Sequence, residues 1–191
     1  MADPLTLTAV GAVVLTEGIK FLYQQAGEVL KRWRERKDAG KSATTEPAQV
    51  ELPPAAFEGQ LEQPQVNLEA VERLEQDLRD LRAAVADYAQ GIDNVDPRNE
   101  QLLQTTDALR HAMEAVYGQR ITFLGEPRTA SGPSVTGEAN VDEVLSYVAG
   151  LRASKILGGS VTGRVTAKRV EAGGQAVGLD AGTIGSDDSS S

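Results

Sequence analysis

Apolar residues recur along the first part of the chain in alternating steps of four and three: Leu15, Ile19, Leu22, Ala26, Val29 and Trp33. That spacing sets all six on one heptad-like stripe and predicts a long helix over residues 5–37. A second stripe runs through Val71, Leu74, Leu78, Leu81, Val85, Tyr88 and Ile92, with Asn67 placed to cap its first turn. Asp96-Pro97 reads as a restart signal, an N-cap followed by proline at the first helical position. The helix after it offers Leu102, Thr106, Leu109, Met113 and Val116 on one face and ends near Gly118. Between the first two helices, residues 38–65 carry Pro47, Pro53, Pro54 and Pro64 among Ala, Gly, Glu and Gln, which predicts a flexible linker. Ile121-Thr122-Phe123-Leu124 is a short β-like run within a connector, residues 119–133.

From Ser134 onward the period changes from helical to two. Val135, Gly137, Ala139 and Val141 alternate with Thr136, Glu138, Asn140 and Asp142. The pattern returns 26 residues later, with Val161, Gly163, Val165 and Ala167 alternating with Thr162, Arg164, Thr166 and Lys168. A shorter motif follows each copy: Gly150-Leu151-Arg152-Ala153 returns as Gly178-Leu179-Asp180-Ala181, 28 residues on. At matched positions the charge is reversed. Glu138 maps to Arg164, Asp142 to Lys168, Glu143 to Arg169 and Arg152 to Asp180. Repetition of this kind predicts stacked units, here two parallel rungs with acid facing base. An antiparallel pairing would set Asp142 opposite Val165 and would leave the second motif's repetition unexplained. The predicted fold is therefore α+β: an N-terminal three-helix bundle or coiled coil, then a short two-rung parallel β-solenoid-like repeat over residues 134–184 and a disordered tail over 185–191. Two rungs are few for a self-sufficient solenoid, and their outer edges would offer unpaired backbone groups to a further copy of the chain.

Composition narrows the chemistry. The chain has 191 residues, a net charge of −9, no cysteine and one histidine, His111. Thiolate metal sites, disulfides and thiol nucleophiles are thereby excluded. No phosphate-binding glycine motif, nucleophile elbow or HExxH is present, so no catalytic, metal or cofactor-binding residues are expected, and the chain reads as a non-enzyme. The acidic balance argues against nucleic acid as the main ligand. Charge is unevenly placed, however. Lys31, Arg32, Arg34, Arg36 and Lys37 fall within seven residues, separated by fifteen residues from an earlier apolar stretch that includes Leu5, Leu7, Val10, Val13, Val14 and Leu15. That stretch is too short for a membrane span, which needs about 20 residues. Apolar positions followed by a basic cluster suit conditional contact with an anionic membrane surface; a core helix of the bundle is the other reading.

The opening residues 1–11, Met-Ala-Asp-Pro-Leu-Thr-Leu-Thr-Ala-Val-Gly, together with the charge-inverted repeat, resemble a known group of proteins. They look like the HeLo and HeLo-like domains of fungal cell-death proteins, or the Bell domains of multicellular bacteria, combined with a HET-s-like two-repeat amyloid region. The resemblance covers residues 1–37 and 134–184. It implies a cytoplasmic defence or programmed-cell-death effector in which an upstream receptor with a similar repeat templates amyloid signalling. The helical domain would then form homo-oligomers and act at the inner face of the cell membrane. The repeat is richer in Ala and Val, and poorer in Asn and Gln, than those families, and is also similar to the regular β-helix of bactofilin-type polymers. A polymerising structural scaffold, or a soluble adaptor with a helical docking module, are the alternatives.

Overall fold

The computed structural model describes residues 6–40, 45–144, 147–153 and 160–181. It is a mixed α+β protein with a long N-terminal helix. The chain divides into two compact units, Met1–Gly132 and Pro133–Ser191.

In the first unit a short 3-10 turn, Thr6–Ala9, precedes α1, Ala12–Asp38. The helix starts later than the apolar pattern predicts because Gly11 takes an extended conformation at its N-cap and its carbonyl accepts from Leu15 N at 2.9 Å. Beyond that point the expected stripe holds: Leu15, Ile19, Leu22, Ala26, Val29 and Trp33 are all buried. Helix α2, Leu68–Ala84, is capped by Asn67, whose side chain accepts from Ala70 N at 3.1 Å. It stops eight residues short of Ile92, which is 68% exposed, and a single turn, α3 (Ala86–Ala89), follows. Helix α4, Glu100–Tyr117, is capped by Asn99 rather than by Asp96. Asp96 instead accepts from Arg98 N at 2.9 Å, closing a tight turn around Pro97. Gly118 ends α4 with φ +65°, the left-handed conformation that favours glycine. Helices α1, α2 and α4 pack against one another around one core.

The proline-rich segment expected to be a linker is part of that core. Val50, Leu52, Ala56, Phe57 and Leu61 are all buried. Short strands β1 (Thr45–Pro47) and β3 (Gln65–Asn67) pair antiparallel, as do β2 (Phe57–Glu58) and β5 (Thr122–Phe123); β4 is the two-residue strand Gln119–Arg120. Backbone groups that prolines leave without regular ladders are met by glutamine side chains. Gln60 bonds both Leu52 N and Leu52 O, at 3.0 and 2.8 Å, and Gln119 bonds Glu62 N and O at 2.9 and 2.7 Å. Phe57 sits between Phe21 of α1 and Phe123, with ring centroids 5.1 and 4.9 Å away. The connector, too, is structural, since Ile121 and Phe123 are fully buried.

Among the described residues the second unit has the strands β6 (Gly132–Val144), β7 (Tyr147–Ala153), β8 (Ser160–Val170) and β9 (Gln175–Ala181). Strand β8 runs parallel to β6, with Ser134 opposite Ser160 and Val144 opposite Val170. Strand β9 runs parallel to β7, with Tyr147 opposite Gln175 and Ala153 opposite Ala181. These are the offsets of 26 and 28 on which the repeat is built. The two pairs lie face to face, β8 against both β7 and β9. Contact is made where side chains are absent: a Cβ on Gly163 would collide with the backbone of Gly178, and one on Gly150 with the backbone of Arg164. The turn between β8 and β9 uses Gly173 at φ +92°.

Candidate functional sites

The charge-inverted ladder is the first candidate. Along β8 the inner set, Val161, Gly163, Val165 and Ala167, is half-buried, while Arg164, Thr166 and Lys168 are exposed. The alternation then slips, leaving Asp142 and Glu143 both exposed on β6, and Lys168 and Arg169 both exposed on β8. Glu138 stands in register with Arg164, and Glu143 with Arg169. Lys168 Nζ reaches Asp142 Oδ1 at 2.5 Å. Arg169 turns to Glu171, 3.6 Å away, rather than across to Glu143. On the other pair, Arg152 Nε donates to Asp180 Oδ2 at 3.0 Å. Tyr147, a residue the repeat pattern did not single out, completes this corner. Its hydroxyl donates to the same Asp180 oxygen, and its ring lies 4.7 Å beneath the Arg152 guanidinium. The hydrogen bond from Tyr147, followed by that from Arg152, holds the Asp180 carboxyl below the usual carboxylate range. Sequence could have flagged Tyr147 only through its place at the head of β7.

The N-terminal segment is the second. Leu7, Val10 and Leu15 are buried in the core, Val14 packs against it, and Val13 is 75% exposed. Leu5 lies outside the described residues. Among those residues no helix is long and apolar enough to cross a membrane. The basic cluster does not form one patch, because seven residues wind nearly twice around a helix. Arg32 and Arg36 turn toward β1: Arg32 Nη1 reaches Pro47 O at 3.5 Å and Arg36 Nη1 pairs with Glu46 at 2.7 Å. Lys31, Arg34 and Lys37 are exposed, with the Lys37 ammonium 5.9 Å from the Trp33 ring centre.

A third cluster was not visible in the sequence. Arg110 on α4 is 2% exposed and Glu126 is 4% exposed, and their side chains meet at 2.5 Å. Arg110 also bonds Asp107 one turn earlier, and Glu126 also accepts from Phe123 N at 3.0 Å and from the Thr6 hydroxyl. Arg128 pairs with Glu114 at 3.2 Å, and Glu114 accepts from Ile121 N at 2.8 Å. The 3-10 turn, α4 and the 119–128 loop are thus tied through buried charge, with each charge partnered as burial requires. His111 stays on the surface beside this cluster, its Nδ1 at 3.4 Å from Asp107 Oδ2. Among the described residues no three His, Asp or Glu side chains gather as metal ligands would. No family model, curated protein or solved structure matches the chain, so its function must be read from these three clusters of residues.

Proposed function

We propose that this chain is a non-enzymatic effector that assembles with copies of itself through residues 134–184 and acts on a membrane through its N-terminal helix. One observation carries the reading: two parallel pairs, β6–β8 and β7–β9, in the register of a repeat whose charges reverse between copies. In this reading the two copies of the repeat are successive rungs of a short β-solenoid-like stack. Among the described residues β8 has β6 on one side and no strand on the other, and β7 and β9 each have one open edge as well. Open edges recruit strands. A second copy laid acidic rung on basic rung continues the sequence of signs, and each added pair of opposite charges contributes ~0.2–1 kcal/mol. A repeat without reversal would set like charges together. Assembly concentrates the helical units, whose cations then meet anionic lipid, which suits a cell-death or defence role triggered by a templating receptor.

Electron microscopy of the full chain, alone and with Arg164, Lys168 and Arg169 all changed to Glu, tests the assembly step. Filaments are expected from the native chain and none from the variant; filaments from both would sink the reading. For the membrane step, Val13→Asp is the suitable variant, because Val13 is exposed and the change leaves the core intact. Leakage from vesicles containing anionic lipid should fall in this variant. Burial of Leu7, Val10 and Leu15 favours a second reading, a polymerising scaffold whose helices dock a partner. It predicts filaments that leave vesicles sealed.

A further inference from the structure

Where α1 crosses α2, a groove of about 310 Å³ is walled by Lys31 and Arg34 from one helix and by Arg79 and Arg82 from the other, over Gly27 and Ala83. No acidic residue lines it. We propose that this groove binds a phosphate group, carried either by an anionic lipid headgroup or by a soluble phosphate ester.

Three features make the groove more than a basic surface. Arg82 is fixed in place: its Nε donates to Tyr23 O at 3.1 Å and its guanidinium lies 4.0 Å over the Tyr23 ring. Gly27 is what lets it lie there, since a Cβ at that position would sit 3.2–3.4 Å from the guanidinium and push it outward. A guanidinium already held loses little rotamer freedom when it closes on an anion, and its planar fork matches two phosphate oxygens. Second, Lys31 and Arg34 are exposed and make no hydrogen bond or ion pair among the described residues, so both are available to a ligand. Of the four cations, Arg79 alone has a carboxylate partner among the described residues, Glu75 at 2.7 Å. Third, the cations come from two helices, so the site exists only in the folded bundle. With Arg79 balanced by Glu75, the other three like charges on one concave surface repel in the empty state, which a di- or trianion relieves.

The site deepens the membrane half of the proposed function, and its vesicle arm rests on that reading; its soluble arm does not. The full-length protein would be titrated with inorganic pyrophosphate by calorimetry. In parallel it would be sedimented with phosphatidylcholine vesicles, with and without phosphatidic acid. The native chain is expected to bind at least one probe. Arg34→Gln and Arg82→Gln should each weaken that binding by roughly tenfold, the loss of one charge-assisted hydrogen bond. Arg82→Lys, which keeps the charge but not the fork, should lose most of the affinity. Arg98→Gln removes one charge on another segment and should change it less than twofold. Arg34 has no partner in the fold to lose, so its variant keeps the test valid even if Arg82 variants unfold. Pyrophosphate binding without vesicle binding supports a soluble phosphate ester and sinks the membrane step while the site stands. Vesicle binding alone supports a headgroup phosphate. Failure of both probes, or an equal loss in Arg98→Gln, overturns the site.

Discussion

The two units bury their residues in different ways. In the first, twenty-nine buried side chains among the described residues form one continuous core, and an arginine and a glutamate are buried with them. They come from the 3-10 turn, the three long helices and the segments between and after them. In the second, Val144 is the one hydrophobic side chain that is fully buried among the described residues, while Val161, Val165 and Ala167 are only half covered. Order there comes from parallel ladders and from glycines that bring backbones together. A side-chain core is finite and closes on itself. A ladder with little core has gained only part of the burial open to it, which on the proposed function further copies would supply. The helical unit thus carries its stability in a closed core, whereas the repeat unit carries its order in ladders, the difference on which the proposed assembly rests.

The sharpest way to break the contrast is to attack the sealed charges of the first unit. Replacing Glu126 with Gln leaves Arg110 buried beside a neutral amide and should lower the stability of the helical unit by about 3 kcal/mol, as removal of one partner from a buried pair does. Changing both residues together, Arg110→Met with Glu126→Gln, should restore most of that loss, because it removes the unpaired charge while the amide oxygen can still accept from Phe123 N. Thermal unfolding followed by helical circular dichroism would measure both, and a double variant as unstable as the single one would refute the account. The strand register of the second unit should be unaffected in either.

Glycine gives a paired comparison of intermediate size. In α1, a Cβ on Gly18 would strike the ring of Phe123; in β8, a Cβ on Gly163 would strike the backbone of Gly178. A ring edge yields by small rotations, and alanine gains ~1 kcal/mol of helix propensity over glycine, which offsets part of an overpacking cost of ~1–3 kcal/mol. Backbone has no such freedom. Gly18→Ala should thus destabilise the helical unit modestly and leave assembly unchanged. Gly163→Ala should separate the two strand pairs and abolish filaments while the helical transition stays where it was. Filaments from Gly163→Ala as abundant as from the native chain would show that the close approach is dispensable.

The same contrast explains what could be read from the sequence. Periodic features were legible because they depend on local spacing alone: the six-residue stripe of α1, the Asn67 cap, the Gly118 stop, and a strand register fixed by a repeat that aligns with itself. Features that depend on distant partners were not. Residues 38–65 look like a linker because their apolar positions follow no period and four prolines interrupt them. Val50, Leu52, Ala56, Phe57 and Leu61 pack because Gln60 and Gln119 reach in to bond the backbone and because Phe21 and Phe123, far apart in sequence, flank Phe57. Asp96 and Asn99 are both good caps three residues apart, and only the turn at Pro97 decides between them. Arg110 follows Leu109 on an amphipathic helix and reads as a surface charge until Glu126 is brought over it. The basic cluster was visible as five cations. That two of them face α2, where Arg79 and Arg82 wait, was not.

The smallest effect concerns the exposed rim of the buried cluster. The His111 pKa is raised, first by its hydrogen bond to Asp107, then by the charges of Asp107 and Glu114, against some opposing burial. Asp107 is more burdened by burial, yet the bond from His111 and the charge of Arg110 hold its pKa below the usual value. The signs follow from linkage. For His111 the folded value lies above the unfolded one, so its contribution is full below about pH 6.5 and is lost as pH rises through the raised folded value. For Asp107 the contribution is full above about pH 3.9 and is lost as pH falls through the lowered one. The pair is fully engaged between those limits. Because the His111 side chain is 55% exposed, solvent screening reduces the gain to the scale of a surface helix pair, ~0.3–0.5 kcal/mol. Melting temperatures of the helical unit should accordingly drop slightly from pH 5.5 to 8.5, and His111→Gln should remove that slope; an unchanged slope in the variant would assign it elsewhere. A surface pair of this size decides little in a unit that closes on itself. On the ladder of the second unit the pair of Lys168 with Asp142 is still more exposed. Under the proposed assembly it would recur with every copy added, so that interactions too weak to matter once would add up along the stack.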